Sequence, residues 1–428
     1  MSALPLSLLP DTAEADERGH LLIGGCDTLD LAAEFGTPLF VYDEDHLRRR
    51  AREAVAAFGD GAIYASKAFL CTAMAKLAHE EGMRIDVATG GELAVALAAG
   101  VPASRLVLHG NNKSEAELRM ALDTGVGRVV IDGFDEITRI ERLVDTGAPI
   151  PDVLVRVTPG VEAHTHDFIA TGQDDSKFGF TVSSGAADEA IDLVRSSPFM
   201  RLAGIHTHIG SQVFRAASYA DALEVLARFV RPHEVEELCI GGGLGVAYVE
   251  GESAPTISEW AGILRGEVER HGISARLSVE PGRAIVAAAA LTLYTVGAIK
   301  TIPGVRTYVA VDGGMSDNPR PVLYGSGYET FLPRAVGAAR SKRVRVVGKH
   351  CESGDVLVPD GAVPQDLAVG DILATPVTGA YGHSMGSNYN KVLRPAVVFV
   401  RAGQARVVVR RETYADLLAT DTGVVEHR

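Results

Sequence analysis

From Ala62 onward, short strand-like apolar runs recur at 62–67, 84–89, 105–109, 128–132, 152–157, 202–209, 237–241 and 276–280. The segments between them carry helical periodicity and end signals. At Ser114-Glu115-Ala116-Glu117, for example, a serine N-cap precedes an acid at the third helical position. Strands alternating with helices predict parallel βαβ units, and eight of them close most economically into a barrel. Polar or glycine residues fall at the C-terminal ends of these runs: Lys67, Asp86, His109, Asp132, His208, the Gly241-Gly242-Gly243 turn and Glu280. That end of a parallel barrel is where an active site is built.

After about residue 284 the pattern changes to strands without regular helices, at 285–302, 306–312, 343–347, 371–377, 396–401 and 405–410. This predicts a second, β-rich domain, which residues 1–35 join by adding a strand. The expected division is therefore a (β/α)8 barrel over 36–283 and a β-rich domain from 1–35 with 284–428. The alanine-rich stretch from Ile285 to Leu293 is far shorter than the roughly 20 apolar residues a membrane span needs, and reads as a buried strand.

Composition narrows the function. With 46% hydrophobic and 22% charged residues the chain can bury a sizeable core and is not a disordered segment. Fifty-five acidic against forty-one basic residues leave a net charge of −14, which argues against a nucleic-acid partner. Cys26, Cys71, Cys239 and Cys351 form no CxxC pair, as expected of reduced thiols in a cytoplasmic protein. The first residues carry no basic region ahead of their apolar ones, so neither export nor membrane attachment is expected.

Several motifs permit chemistry. Lys67 ends the run Ala62-Ile63-Tyr64-Ala65-Ser66-Lys67. A lysine held near the interior loses hydration, which frees its amine for imine formation, whereas one that snorkels to water only caps the strand. Gly241-Gly242-Gly243 follows a strand and suits either a sharp backbone turn around a phosphate or close packing. In Glu280-Pro281-Gly282-Arg283 the acid either faces a pyridine nitrogen or pairs with Arg283. His206 and His208, at spacing two on a strand, share one face, which invites a metal-dependent hydrolase reading; no further His or Cys grouping completes a ligand set, and no metal is expected. His208 with Ser211 fits instead a ring-stacking imidazole beside a phosphate donor, and His164 and His166 read as loop residues. Cys351, followed by Glu352, Ser353, Gly354 and Asp355, offers a proton donor beside a carboxylate for a substrate cation.

Taken together, Tyr64-Ala65-Ser66-Lys67, His208-Ile209-Gly210-Ser211, Gly241-Gly242-Gly243, Glu280-Pro281-Gly282-Arg283, Cys351-Glu352-Ser353-Gly354-Asp355 and Gly379-Ala380-Tyr381 resemble the fold-type III pyridoxal-phosphate decarboxylases over roughly residues 35 to 400. The resemblance implies an alanine-racemase-type barrel paired with a C-terminal β domain, and pyridoxal 5'-phosphate as cofactor. It implies that Lys67 anchors the cofactor, His208 stacks on its ring, and Ser211 with Gly241, Gly242 and Gly243 cradles its phosphate. Glu280 would meet the pyridine nitrogen, with Asp86, Gly282, Arg283 and Tyr381 also close to the cofactor. Arg283, Arg320, Tyr324, Glu352 and Tyr381 would hold the substrate, and Cys351 would return a proton to the carbon that loses carbon dioxide.

Within that family the implied substrate is meso-2,6-diaminopimelate, converted to L-lysine and carbon dioxide as the last step of lysine biosynthesis. An arginine for its distal carboxylate and a glutamate for its distal ammonium are complementary to it. Ornithine has no distal carboxylate; it, arginine and carrier-bound amino acids are the sister substrates, and a non-catalytic cofactor-binding protein is a further alternative. In this family the cysteine loop enters the neighbouring subunit's site, which implies a homodimer. Gly348-Lys349-His350 stands where many relatives have proline before the cysteine, and residues 163–179 resemble the family's long loop after the fifth strand, which could close over substrate.

Overall fold

A computed structural model describes residues 3–160, 175–208, 210–214 and 216–423. His164, His166, Ile209 and residues 163–174 of the expected closing loop lie outside them. The chain divides into two compact units, one comprising Met1–Leu47, Ala247–Glu252 and Val286–Arg428, the other Arg48–Val246 and Ser253–Ile285.

Near the N-terminus, β1 (Glu14–Ala15), β2 (Leu21–Ile23) and β3 (Cys26–Asp27) pair with one another as a small antiparallel sheet. Residues 1–35 therefore make their own sheet instead of adding a strand to the larger one. The Asp27 side chain then caps the helix Thr28–Phe35 by accepting from the Leu29 amide at 2.8 Å. The following strand, β4 (Leu39–Asp43), is fully buried and joins the large sheet of the β-rich unit, between two strands from the C-terminal part of the chain.

The eight predicted barrel strands are all present: β5 (Ile63–Ala65), β6 (Arg84–Val87), β7 (Leu106–Leu108), β8 (Arg128–Ile131), β9 (Asp152–Thr158), then, after a two-residue β10 (Phe180–Thr181) beside β9, β11 (Arg201–His206), β12 (Glu237–Cys239) and β13 (Arg276–Ser278). All neighbours pair in parallel. A parallel bridge between Ala62 and Val279, with the Ile63 amide 2.9 Å from the Val279 carbonyl, joins the first strand to the last and closes the ring. Ile63, Val107, Val130, Leu154, Ala203 and Cys239 form one buried apolar cluster contributed by six of these strands. The predicted capping box is formed as read: Ser114 Oγ accepts from the Glu117 amide at 3.2 Å, and Glu117 Oε2 accepts from the Ser114 amide at 3.0 Å.

In the β-rich unit, β14 (Ala290–Ile302), β15 (Arg306–Val311), β16 (Lys342–Val347), β17 (Val356–Val363), β18 (Ile372–Pro376), β19 (Ala396–Arg401) and β20 (Gln404–Val409) form with β4 a sheet of order β17-β16-β15-β14-β4-β19-β20, with β18 also on β14. The alanine-rich stretch departs from expectation at its start. Arg283–Val286 makes one helical turn, with the Ile285 amide bonded to the Gly282 carbonyl at 2.9 Å, and the strand begins only at Ala290. β17 is a strand beyond those the apolar pattern predicts, because Pro359 and Gly361 interrupt its apolar run. Among the described residues no helix is long and apolar enough to cross a membrane.

Candidate active site

The barrel gathers its polar residues at the C-terminal ends of the strands. β5 stops at Ala65, and Ser66–Ala68 is a 3-10 turn, so Lys67 stands just past the strand with its side chain exposed. This corrects the picture of a lysine dehydrated by its strand neighbours. What holds Lys67 is the turn: Tyr64 Oη donates to the Phe69 carbonyl at 2.6 Å, and the Ser66 amide donates to Asp86 Oδ1 at 3.1 Å. Asp86 is buried, which pushes its carboxyl up; Glu280 pushes it further, His109 and the Lys67 ammonium oppose, and the result is about 7. Asp86 thus steadies the lysine-bearing turn through the backbone and feels the lysine charge.

Glu280 is held by side chains from three other strand ends. His109 Nε2 lies 2.9 Å from its Oε1, His206 Nε2 lies 3.1 Å from its Oε2, and Cys239 Sγ donates to Oε1 at 3.4 Å. The two imidazoles meet edge to face with centroids 5.0 Å apart. Burial resists ionisation of Glu280, but His109 and His206 overcome it and hold the carboxyl well below its usual range. Burial drives His206 the other way, down to about 4, so it is neutral. An ionised carboxylate only accepts, so the proton between them sits on Nε2 of His206. From the sequence, His109 stands out only as a strand end, His206 only as one of a possible metal-binding pair, and Cys239 only as a reduced thiol. The one signal in the sequence is that all three stand at the C-terminal ends of barrel strands.

β11 ends at His206, so His208 lies beyond the strand and the shared face expected for the two does not arise. His208 turns its Nδ1 to the Gly242 amide at 3.2 Å. Burial and the positive charges of Lys67 and Arg156 hold it well below the ordinary histidine range, leaving a neutral flat ring. Among the described residues the donors close enough to share an ion are His109 with His206 and Glu280, and Asp16 with His20 and Asp27; His208 belongs to neither set.

The glycine turn is packed to backbone contact. A Cβ at Gly241 (φ 70°) would come within 2.5 Å of His208 Nδ1, and side chains at Gly242 and Gly243 would overlap the carbonyl oxygens of Glu280 and Gly210. The turn is knitted to its neighbours by the Glu280 amide on the Gly241 carbonyl (2.8 Å) and the Val213 amide on the Gly243 carbonyl (2.8 Å). Ser211 sits in the segment so aligned, and its Oγ accepts from Arg283 Nη2 at 2.9 Å, one residue after Gly282. Gly282 itself packs against Ala65, with no room for a side chain. The barrel therefore brings together Lys67, Asp86, His208, Ser211, Gly241 to Gly243, Glu280, Gly282 and Arg283.

The remaining predicted residues lie in the β-rich unit. Arg320 opens the short helix Arg320–Tyr324 and is buried, whereas Tyr324 is half-exposed. Cys351 and Glu352 are exposed at the tip of a loop between β16 and β17. The base of that loop is fixed by the buried Asp355, which accepts from the Met315 amide at 2.7 Å and the His350 amide at 2.9 Å. A side chain at Gly348 would overlap the Asp355 carboxylate, so glycine, not proline, shapes this approach. His350 bonds Ser316 Oγ at 2.8 Å and Asn390 Oδ1 at 3.1 Å, and Tyr389 Oη reaches Glu352 Oε2 at 3.5 Å. Tyr381 adopts a left-handed backbone (φ 58°) two residues after Gly379, whose carbonyl accepts from Tyr42 Oη at 2.8 Å.

A parallel barrel with a lysine turn, a glycine cradle and an imidazole-clamped carboxylate is the architecture of a pyridoxal-binding enzyme. In agreement, residues 44–287 match the family model of the pyridoxal-dependent decarboxylases, pyridoxal binding domain. The chain is 47% identical to diaminopimelate decarboxylase of Bacillus subtilis over 96% of its own length and 98% of the relative's, and 47% identical to that of Mycobacterium tuberculosis over 96% and 97%. The crystal structure of diaminopimelate decarboxylase from M. jannaschii in co-complex with L-lysine superposes with a TM-score of 0.88 at 32% identity, covering 97% of this chain and 98% of that one. The chain belongs to the diaminopimelate decarboxylase family of pyridoxal-dependent decarboxylases.

Proposed function

We propose that this protein removes carbon dioxide from meso-2,6-diaminopimelate to give L-lysine, using pyridoxal 5'-phosphate, as the last step of lysine biosynthesis. The observation that carries the reading is Glu280, a buried carboxylate kept ionised by His109 and His206 at the end of the barrel that also holds Lys67 and the glycine turn. Two features of the structure fit the cofactor. Side chains at Gly241, Gly242 and Gly243 would collide with backbone or imidazole, so the turn keeps a bare backbone surface that a phosphate can approach closely, and Ser66 Oγ and Thr207 Oγ1, at the ends of the first and sixth strands, are buried without a hydrogen-bond partner.

When bound, pyridoxal phosphate supplies a protonated pyridine that draws electrons from the bond to the departing carboxylate. Glu280 is the group that keeps a proton on that nitrogen, and its two imidazole partners keep it anionic for the purpose. Lys67 is the covalent anchor, and the neutral His208 ring offers a flat face without repelling a cationic ring. Ser211 and the Gly241-Gly242-Gly243 turn hold the phosphate, and Asp86, Gly282 and Arg283 stand beside the cofactor. Arg283, Arg320, Tyr324 and Tyr381 grip the substrate, Arg320 on the distal carboxylate, while Glu352 takes the distal ammonium. Carbon dioxide leaves without the bonding pair, and the Cys351 thiol delivers the proton that this pair takes up. The exposed Cys351 and Glu352 suit a loop completed by a second copy, so the active form is a homodimer, and the four free cysteines suit a cytoplasmic enzyme.

The test is direct. Purified protein should absorb visible light through its lysine-bound cofactor, Lys67→Ala should abolish that band, and carbon dioxide should be released from meso-diaminopimelate in preference to ornithine, arginine or L-lysine. A colourless wild-type protein, or preference for a substrate with no distal carboxylate, overturns the reading.

A further inference from the structure

Arg320 has an unusual setting for a buried cation. It is 5% exposed, and among the described residues its partners are aromatic and not acidic. Its Cζ stands 4.1 Å from the Tyr248 ring centroid and 5.5 Å from that of Tyr328, and Nη1 donates to Tyr328 Oη at 2.5 Å. The two rings meet edge to face at 5.3 Å and 83°, and are themselves only 3% and 4% exposed. An arginine cannot shed its charge, and burying it against a carboxylate would neutralise the side chain before any ligand arrived. An aromatic face and one phenol oxygen stabilise the cation while leaving most of its N–H groups uncommitted to any anion.

The cage has its own brace. Arg340, 1% exposed, donates through Nη1 to Glu329 Oε2 at 2.5 Å and through Nη2 to Glu250 Oε2 at 3.2 Å, and the Glu250 amide donates to Glu329 Oε1 at 3.2 Å. Glu329 follows Tyr328 directly, and Glu250 lies two residues after Tyr248, whose own amide is fixed by Glu252 Oε2 at 2.8 Å. One buried arginine therefore ties together the two segments whose tyrosines hold another.

We infer that Tyr248 and Tyr328 are specificity-determining positioning residues, which hold the Arg320 guanidinium desolvated and without an acidic partner so that it receives the distal carboxylate of the substrate, with Glu250–Arg340–Glu329 as the brace of this cage. The inference rests on the reading that Arg320 binds that carboxylate. A substrate lacking the distal carboxylate gains nothing from the cage, which makes it a device for discrimination.

The experiment compares holoenzyme variants in turnover of meso-diaminopimelate and in calorimetric binding of L-lysine and cadaverine. L-Lysine keeps the carboxylate that decarboxylation leaves in place; cadaverine has none. Tyr248→Leu should raise KM for meso-diaminopimelate and weaken L-lysine about ten-fold, with kcat changed by no more than about three-fold and cadaverine binding unaltered. Tyr248→Phe, which keeps the π face, should restore the lost affinity, and Tyr328→Phe should give a smaller loss of the same kind. If Tyr248→Leu fails to fold, Tyr328→Phe, which removes one oxygen atom, decides. Wild-type affinity for L-lysine in the tyrosine variants, while Arg320→Met abolishes the preference for L-lysine over cadaverine, overturns the cage and leaves the role of Arg320 standing. A preference that survives in Arg320→Met overturns that role itself.

Discussion

The barrel and the β-rich unit hold their functional groups in opposite ways. In the barrel they sit at strand ends, and Glu280 is clamped by side chains from two other strands at 2.9 and 3.1 Å. In the β-rich unit they sit on loops and a five-residue helix; Arg320 is buried against aromatic rings, while Cys351 and Glu352 stand in the open. Parallel strands fix positions to within a hydrogen bond, as electron-withdrawing chemistry needs, whereas loops admit variation in what is recognised. On the proposed function, this difference puts the cofactor chemistry in the first unit, and most of the substrate recognition with the proton donor in the second.

The sharpest way to break that assignment is Cys351→Ala. It should lower kcat by about 10²–10⁴-fold while leaving the visible absorbance of the bound cofactor intact. Loss of the absorbance would place Cys351 in cofactor binding and erase the division. Next, Glu280→Gln should cut turnover by about 10²-fold and alter the cofactor spectrum, because an amide cannot keep the pyridine nitrogen protonated. An unchanged spectrum would remove the basis for placing the electron sink in the barrel.

A smaller effect separates the units through stability. Asp317, which accepts from Tyr294 Oη at 2.6 Å and the Gly314 amide at 2.8 Å, is raised from 3.8 to about 7, chiefly by burial. Its folded form binds a proton more tightly than its unfolded form, so its contribution to stability is present at acid pH and is lost as pH rises from about 4 to about 7. Asp317→Asn should flatten that part of the melting profile, by at most about 1.4 kcal/mol per unit of pH. Glu280, depressed, has the opposite sign: its contribution is present above its unfolded value and is lost on acidification. The smallest change is Ser114→Ala, which removes a helix cap of the barrel and should cost about 1 kcal/mol in denaturant unfolding without altering kcat.

Much of the barrel was legible because its strands are separated by helices of regular period, and the Ser114 cap lies within four residues of its partner. Local signals of this kind survive in one dimension. Less could be read in the β-rich unit, where β4 joins Ala290–Ile302 and Ala396–Arg401 from far along the chain and β17 carries a proline and a glycine. The candidate functional residues of each unit show the same contrast. Lys67, Glu280 and Cys351 were evident as motifs, but the partners of Glu280 come from residues 109, 206 and 239, and the partners of Arg320 from 248 and 328, with no local pattern to announce them.

The amino-acid sequence by itself determined that there is a barrel, which residues end its strands and which side chains are chemically able to take part, because periodicity, turns and residue type are local properties. Only the tertiary structure decided that Lys67 stands on an exposed turn, that the His206 ring bonds Glu280, and that Arg320 rests on the rings of Tyr248 and Tyr328. Those outcomes depend on which surfaces are buried together, and burial is a property of the closed fold, not of any segment in it.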